Sequence, residues 1–209
     1  MADFDEFRIR DTRRFIENLE DTLAYTPAGQ PVPGLDAIEG ADASGTVYCL
    51  VRLDGRPARI SITDGWWEAV GPEAIAGAVL QAYRFAQQKT VFARMVLRRH
   101  GRTHESPPNL EPEVPTGADD LDTMRRRIDQ AGADIAAAMR LFEVVNDPSP
   151  RVVSGPRGIF TLTVRGTVIE SAQVNVFGLR PEDATDLADD AREALLSVRP
   201  SYAHHPAEA

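Results

Sequence analysis

Basic side chains collect in a stretch without a single acid, between Ala74 and His104. Such cations can neutralise phosphates, which gives nucleic-acid binding its affinity without reading the base sequence. The candidate phosphate-binding residues are Arg84, Lys89, Arg94, Arg98, Arg99 and Arg102. A second interpretation stays open, because basic residues near a helix C-terminus also complement the negative end of the helix dipole and can simply face solvent.

The overall charge of the chain has the opposite sign. Lysine and arginine total 23 against 32 acids, a net charge of −9, which normally argues against a nucleic-acid partner. Much of the acid lies between Glu182 and Glu193, where six acids surround Arg192. We interpret that run as a solvated helix face rather than a metal site.

Other reactive residue types lack the neighbours that chemistry requires. His100 and His104 have a metal-ligand spacing, but Gly101 lies between them and prolines follow, so we expect no metal. Cys49 lies within an apolar strand, where a thiol is usually a small buried hydrophobe. The pair Trp66-Trp67 is typical of a core or an interface.

Phosphate-loop, nucleophile-elbow and zinc-protease motifs are absent from the sequence, so we predict no cofactor, no catalytic residue and no enzyme activity.

Composition sets the class of protein. Of 209 residues, 43% are hydrophobic and 26% are charged, which excludes a fibrous or wholly disordered chain. No apolar run approaches the roughly 18–20 residues of a membrane span, and the first residues are acidic rather than signal-like. We therefore expect a cytoplasmic protein without a membrane partner. One cysteine excludes an internal disulfide.

The chain contains an internal repeat. Each copy predicts two alternating strands joined at a glycine turn, followed by a helix that opens at a Pro-Glu pair. The matching positions are 113 residues apart at the first glycine, 111 at the turn and 109 at the Pro-Glu pair. The segments that carry the repeat are Gly45–Gly55, Ala58–Ile62 and Gly71-Pro72-Glu73, then Gly158–Gly166, Val168–Val176 and Arg180-Pro181-Glu182.

A leading helix is predicted before each hairpin. Seven apolar residues at three- and four-residue steps between Leu121 and Phe142 form a narrow stripe that needs an apolar partner. Near the N-terminus, Phe15 to Leu23 follow a similar spacing, and the sequence leaves open whether that helix extends upstream or is capped by Asp11. It also leaves open whether the helix after Pro72 continues to His100.

These signals divide the chain into two modules. We predict a first module at residues 1–100, a proline-rich linker at 101–117, a second module at 118–200 and a polar tail at 201–209. The predicted fold is α+β, with two helix–β-hairpin–helix modules packed as a pseudo-twofold pair.

The motifs in Gly45–Ile62, in Gly71-Pro72-Glu73 with the alanine-rich helix after it, in Gly158–Val176 and in Pro181-Glu182 resemble those of the YbaB/EbfC family. That family comprises small nucleoid-associated proteins that form homodimers and bind DNA with little sequence preference. The resemblance implies that two fused copies imitate the dimer within one chain, which can also assemble further, and that the chain binds DNA at the nucleoid. Some relatives in bacteria with type VII secretion systems are secretion-associated, which implies an alternative protein-interaction module that does not bind nucleic acid.

Overall fold

The computed structural model describes residues 2–27, 30–102 and 149–198, with the isolated positions 125, 129, 130, 132 and 133 between them. Its strands form two antiparallel three-stranded sheets, each in sequential order. The first sheet contains β1 (Ile38–Ala41), β2 (Val47–Val51) and β3 (Pro57–Ile62). The second contains β4 (Pro150–Ser154), β5 (Phe160–Arg165) and β6 (Val168–Val174).

Helices precede and follow the first sheet, and a helix follows the second. They are α1 (Ala2–Tyr25), the short α2 (Trp66–Ala69), α3 (Ile75–Arg99) and α4 (Ala184–Ser197), with a 3-10 turn at Pro181–Asp183 before α4. The α+β class predicted from the sequence is confirmed. The predicted stripe from Leu121 to Phe142, the linker beyond Arg102 and the tail lie outside the described residues, apart from the isolated positions.

Both open questions about the helices are answered. α1 is continuous from Ala2, so Asp11 does not cap a shorter helix. α3 ends at Arg99 with His100 as its C-cap, and its 25 residues span about 37 Å. One boundary was predicted too early, because Pro72 and Glu73 lie in a turn and α3 begins only at Ile75.

The hairpins were predicted correctly, but β1 and β4 were not predicted as strands. Each adds a third strand beside the second strand of its sheet. Gly40 in β1 allows this strand to approach α3, because a Cβ there would lie 2.3 Å from the backbone nitrogen of Ala86. The missing side chain is therefore a condition for packing helix on sheet.

A buried carboxylate fixes the first turn of each sheet. Asp42 accepts hydrogen bonds from the backbone N–H groups of Ser44 at 3.0 Å, Thr46 at 2.9 Å and Val47 at 2.8 Å. In the second sheet, Asp190 of α4 accepts hydrogen bonds from three backbone N–H groups. Their residues follow the three donors to Asp42 by 113 positions each. The donors to Asp190 are Arg157 at 2.6 Å, Ile159 at 2.8 Å and Phe160 at 2.8 Å.

The apolar residues form two clusters. The larger one contains residues of both sheets, including Val47 and Cys49 of β2 and Phe160 and Leu162 of β5, together with α3 and α4. The smaller one packs the second half of α3 against α1, with Leu19, Leu23 and Leu97 among its members. α3 therefore belongs to both clusters, and Arg84, Arg94 and Arg98 lie on its exposed face.

Candidate nucleic-acid interface

Arg84 lies on α3 where the helix passes the second sheet. Its side chain is exposed, and Nη2 donates a hydrogen bond to the carbonyl of Ile169 in β6 at 2.9 Å. A similar bond runs in the other direction, because Arg192 Nε of α4 donates to the carbonyl of Ala58 in β3 at 2.9 Å. Each long helix thus reaches the edge strand of the other half.

Lys89 points into the protein. It is 7% exposed, forms an ion pair with Asp11 of α1, and Nζ donates to the carbonyl of Glu39 at 2.9 Å. Nζ also lies 4.7 Å from the ring centroid of Phe85 and 5.8 Å from that of Phe15, within the range of cation–π attraction. The only lysine of the chain therefore joins α1, α3 and β1, and it is not placed to meet a phosphate.

The four remaining basic residues differ in their partners. Arg94 donates through Nε to the carbonyl of Leu53 at 2.9 Å, and Arg102 donates to the carbonyl of Thr26. Arg99 lies 3.3 Å from the Glu20 carboxylate. Within the described ranges, Arg98 is exposed and has neither a hydrogen bond nor an ion pair through its side chain.

Three of the arginines share one side of α3. At 3.6 residues per turn, Arg84, Arg94 and Arg98 fall within an arc of about 80°, and Arg102 follows just beyond the helix end. We call these four residues the arginine face. Among the described residues none of the four is paired with a carboxylate, and a guanidinium that binds one carbonyl keeps its full charge. Arg84 and Arg94 also keep further N–H donors, whereas Nη1 of Arg102 is buried without a hydrogen-bond partner. Lys89 and Arg99, which are ion-paired, point away from this arc.

Two apolar side chains lie within the same surface. Val91 is 53% exposed and lies within the arc of the arginines, and Met95 is 61% exposed and lies about 20° beyond it. Arginine and methionine are enriched where proteins contact one another. The arginine face therefore combines positive charge with exposed apolar area.

The acidic run from Glu182 to Glu193 is largely neutralised or buried. Asp190 is 1% exposed and holds the turn described above. Asp186 pairs with Arg157, and this hydrogen bond and charge raise the pKa of that guanidinium. Glu193 pairs with Arg192. The prediction of a solvated acidic helix face is wrong at Asp190. Its buried carboxylate accepts the turn N–H groups of the second sheet, as Asp42 does in the first.

The other candidates occupy structural positions. Cys49 is fully buried, and desolvation raises the pKa of its thiol to about 12, so a nucleophilic thiolate is disfavoured. Trp66 is 1% exposed and its Nε1 donates to the carbonyl of Pro181 at 2.8 Å. His100 is the exposed C-cap of α3, while His104 lies outside the described residues. No group of three potential metal ligands occurs in the part of the chain that the structure describes.

Sequence reasoning missed the use of arginine as a donor to main-chain carbonyls. That role leaves no spacing signal, because the acceptors at Ile169, Leu53 and Thr26 belong to distant segments. A search of the described helices finds none both long and apolar enough to span a bilayer. Comparison with family models, with curated proteins and with solved structures finds no match to this chain.

Proposed function

We propose that this protein binds DNA without sequence preference through the arginine face of α3. The observation that carries the proposal is that Arg84, Arg94 and Arg102 donate to backbone carbonyls rather than to carboxylates. Their positions are thereby fixed while their charges stay uncompensated. Fixed cations lose little further side-chain freedom on binding, which favours phosphate contacts.

The mode of binding follows from the residue types. Arginine contacts to phosphate release condensed counterions and carry no information about sequence. The predicted site of six residues narrows to four in this proposal, since Lys89 is buried and Arg99 is paired with Glu20. We expect weak binding in the cytoplasm, at the nucleoid, with no catalytic step.

We further propose that the chain is a duplicated YbaB/EbfC-like module whose halves form a pseudo-twofold pair. The turns held by Asp42 and Asp190 support this, because three donors of one match three of the other at a single offset. The paired bonds of Arg84 to β6 and of Arg192 to β3 support it as well, since reciprocal contacts are typical of a twofold interface.

The test of DNA binding is a fluorescence anisotropy titration with two labelled duplexes, one of mixed sequence and one rich in G·C pairs. If all four residues of the arginine face meet phosphates, log affinity should fall against log salt with a slope near −3.6, using about −0.9 per contact. The two duplexes should bind alike. Absence of binding at micromolar protein and low salt would contradict the proposal, and so would a strong preference for one duplex.

A second candidate function is a protein-interaction or secretion-associated module that does not bind nucleic acid. Exposed apolar residues favour it, namely Val91 and Met95 on α3 and Phe177, which is 95% exposed after β6. Pull-down of the full chain with and without nuclease separates the two functions. A specific protein that remains after nuclease treatment supports the second, whereas recovery that nuclease abolishes supports DNA binding.

A further inference from the structure

The turn between β2 and β3 lies against one border of the arginine face. The carbonyl of Leu53 in this turn is the acceptor that holds Arg94, and Tyr83 Oη donates to the carbonyl of Gly55 at 3.4 Å. Tyr83 and Arg94 are about 20° apart around α3, so the turn follows one side of the helix. Arg94 is the outermost residue of the arginine face on that side.

The position of this turn relative to α3 is fixed. The N–H of Arg52 donates to the carbonyl of Arg56, and the N–H of Gly55 donates to the carbonyl of Arg52, both at 2.8 Å. Leu53 is 8% exposed and packs in the smaller apolar cluster with the second half of α3. Main-chain hydrogen bonds and apolar packing therefore hold the turn beside the arginine face.

Arg52 is the uncompensated cation of the turn. Arg56 forms an ion pair with Asp54, with Nε 3.9 Å from the carboxylate, and Asp54 also accepts the N–H of Arg56 at 2.9 Å. The side chain of Arg52 is exposed, and within the described ranges it has neither a hydrogen bond nor an ion pair. Because Arg52 directly precedes Leu53, it adds a positive charge beside the carbonyl that holds Arg94.

The opposite side of α3 carries the reverse charge. α1 packs there, with Asp11 and Glu20 paired to Lys89 and Arg99. The sequence of α1 contains seven acids and four arginines, whereas residues 52–56 contain one acid and two arginines. A polyanion on the arginine face is therefore attracted by the turn on one side and repelled by α1 on the other.

DNA bound at the arginine face has to overlap one of these neighbours. An α-helix with its side chains is about 10–12 Å across, whereas the major groove of a duplex is by itself about 12 Å wide. A single helix therefore supports only part of the width of a duplex. The charge difference between the two sides of α3 decides which neighbour lies under the rest.

We propose that a DNA duplex on the arginine face extends over the turn between β2 and β3, where Arg52 makes a further phosphate contact. The inference rests on the proposed DNA binding and gives it an orientation. The slope of about −3.6 counts the arginine face alone, and a contact by Arg52 increases its magnitude by about 0.9.

Salt titrations of DNA affinity for Arg52→Gln and Arg13→Gln test this orientation. Arg13 is the matched control, because it is also exposed and without a side-chain partner in the described part of the chain, but lies on α1 across a groove from Phe92. Arg52→Gln should reduce the magnitude of the slope by about 0.9, and Arg13→Gln should leave it unchanged. Thermal melts of both variants should match the wild type, since both side chains are exposed.

Asp54→Asn should increase DNA binding, which a folding defect does not imitate. The amide oxygen can still accept the N–H of Arg56, while loss of the carboxylate charge frees the Arg56 guanidinium. At about 0.1 M salt, where charges beyond about 10 Å are largely screened, affinity should rise about two- to fivefold. Glu17→Gln on α1 removes the same charge and should leave the affinity unchanged.

An unchanged slope in Arg52→Gln would overturn the inference, and so would equal changes in Arg52→Gln and Arg13→Gln. A change in Arg13→Gln alone would place the duplex over α1 and overturn it too, as would a gain in Glu17→Gln that equals the gain in Asp54→Asn. These outcomes leave DNA binding by the arginine face intact. Absence of binding by the wild type, in contrast, would overturn the proposed function and this inference together.

Discussion

Asp190 holds the turn between β4 and β5 through three backbone N–H groups and is itself 1% exposed. Gly155 creates the space for this carboxylate, because a Cβ there would lie 2.4 Å from Asp190 Oδ1. In the first half the corresponding turn is held by Asp42, which lies in the turn itself. A buried carboxylate thus accepts the turn N–H groups in both sheets, from the turn itself in the first and from α4 in the second.

Replacing Asp190 by alanine should be strongly destabilising. The substitution leaves three N–H donors without acceptors, which we expect to cost about 3 kcal/mol. In a chain of this size the melting temperature should fall by about 6–12 °C. Asp189→Ala, one residue earlier and exposed, should change the unfolding free energy by less than about 0.5 kcal/mol. Equal losses in the two variants would show that Asp190 does not support the turn.

At the scale of elements, α3 has two structural roles along its length. Its first half covers the sheets, and its second half packs on α1 with Lys89 as the polar connection. We expect Lys89→Met to destabilise the protein by about 1–3 kcal/mol, because Asp11 and the Glu39 carbonyl lose their partner. Urea unfolding measures this loss, and Arg98→Met should be neutral in the same experiment. A larger loss of stability in Arg98→Met than in Lys89→Met would contradict the structural role of Lys89.

The extent to which the elements could be predicted depends on their periodicity. The hairpin strands alternate clearly and α3 keeps helical spacing over its length, so both were predictable. β1 and β4 were missed because Gly40 breaks one pattern and the other contains only Val152 and Val153 as apolar residues. The buried state of Lys89 was also missed, since its partners Asp11 and Glu39 are distant in sequence. Tertiary contacts decide such cases, and one sequence does not contain a signal for them.

At the scale of the whole molecule, the two sheets share one apolar cluster. Trp66 of the first half donates to the carbonyl of Pro181 in the second, so its environment depends on both. We therefore expect a single unfolding transition in which tryptophan fluorescence and far-ultraviolet circular dichroism coincide. Phe160→Ala, in the second sheet, should reduce the free energy of unfolding by about 3–5 kcal/mol and leave a single transition. Two separate transitions would indicate independently folded halves.

The central claim is that the arginine face of α3 provides the phosphate contacts. The most direct test is the salt dependence of DNA affinity for two double variants, Arg94→Gln/Arg98→Gln and Arg56→Gln/Arg165→Gln. The second pair changes the net charge equally, at positions outside that face that form ion pairs with Asp54 and Glu170. The first pair should reduce the slope of log affinity against log salt from about −3.6 to about −1.8 and weaken all sequences alike. The second pair should leave the slope near its wild-type value. An unchanged slope in the Arg94 and Arg98 variant, or an equal change in both, would contradict the assignment.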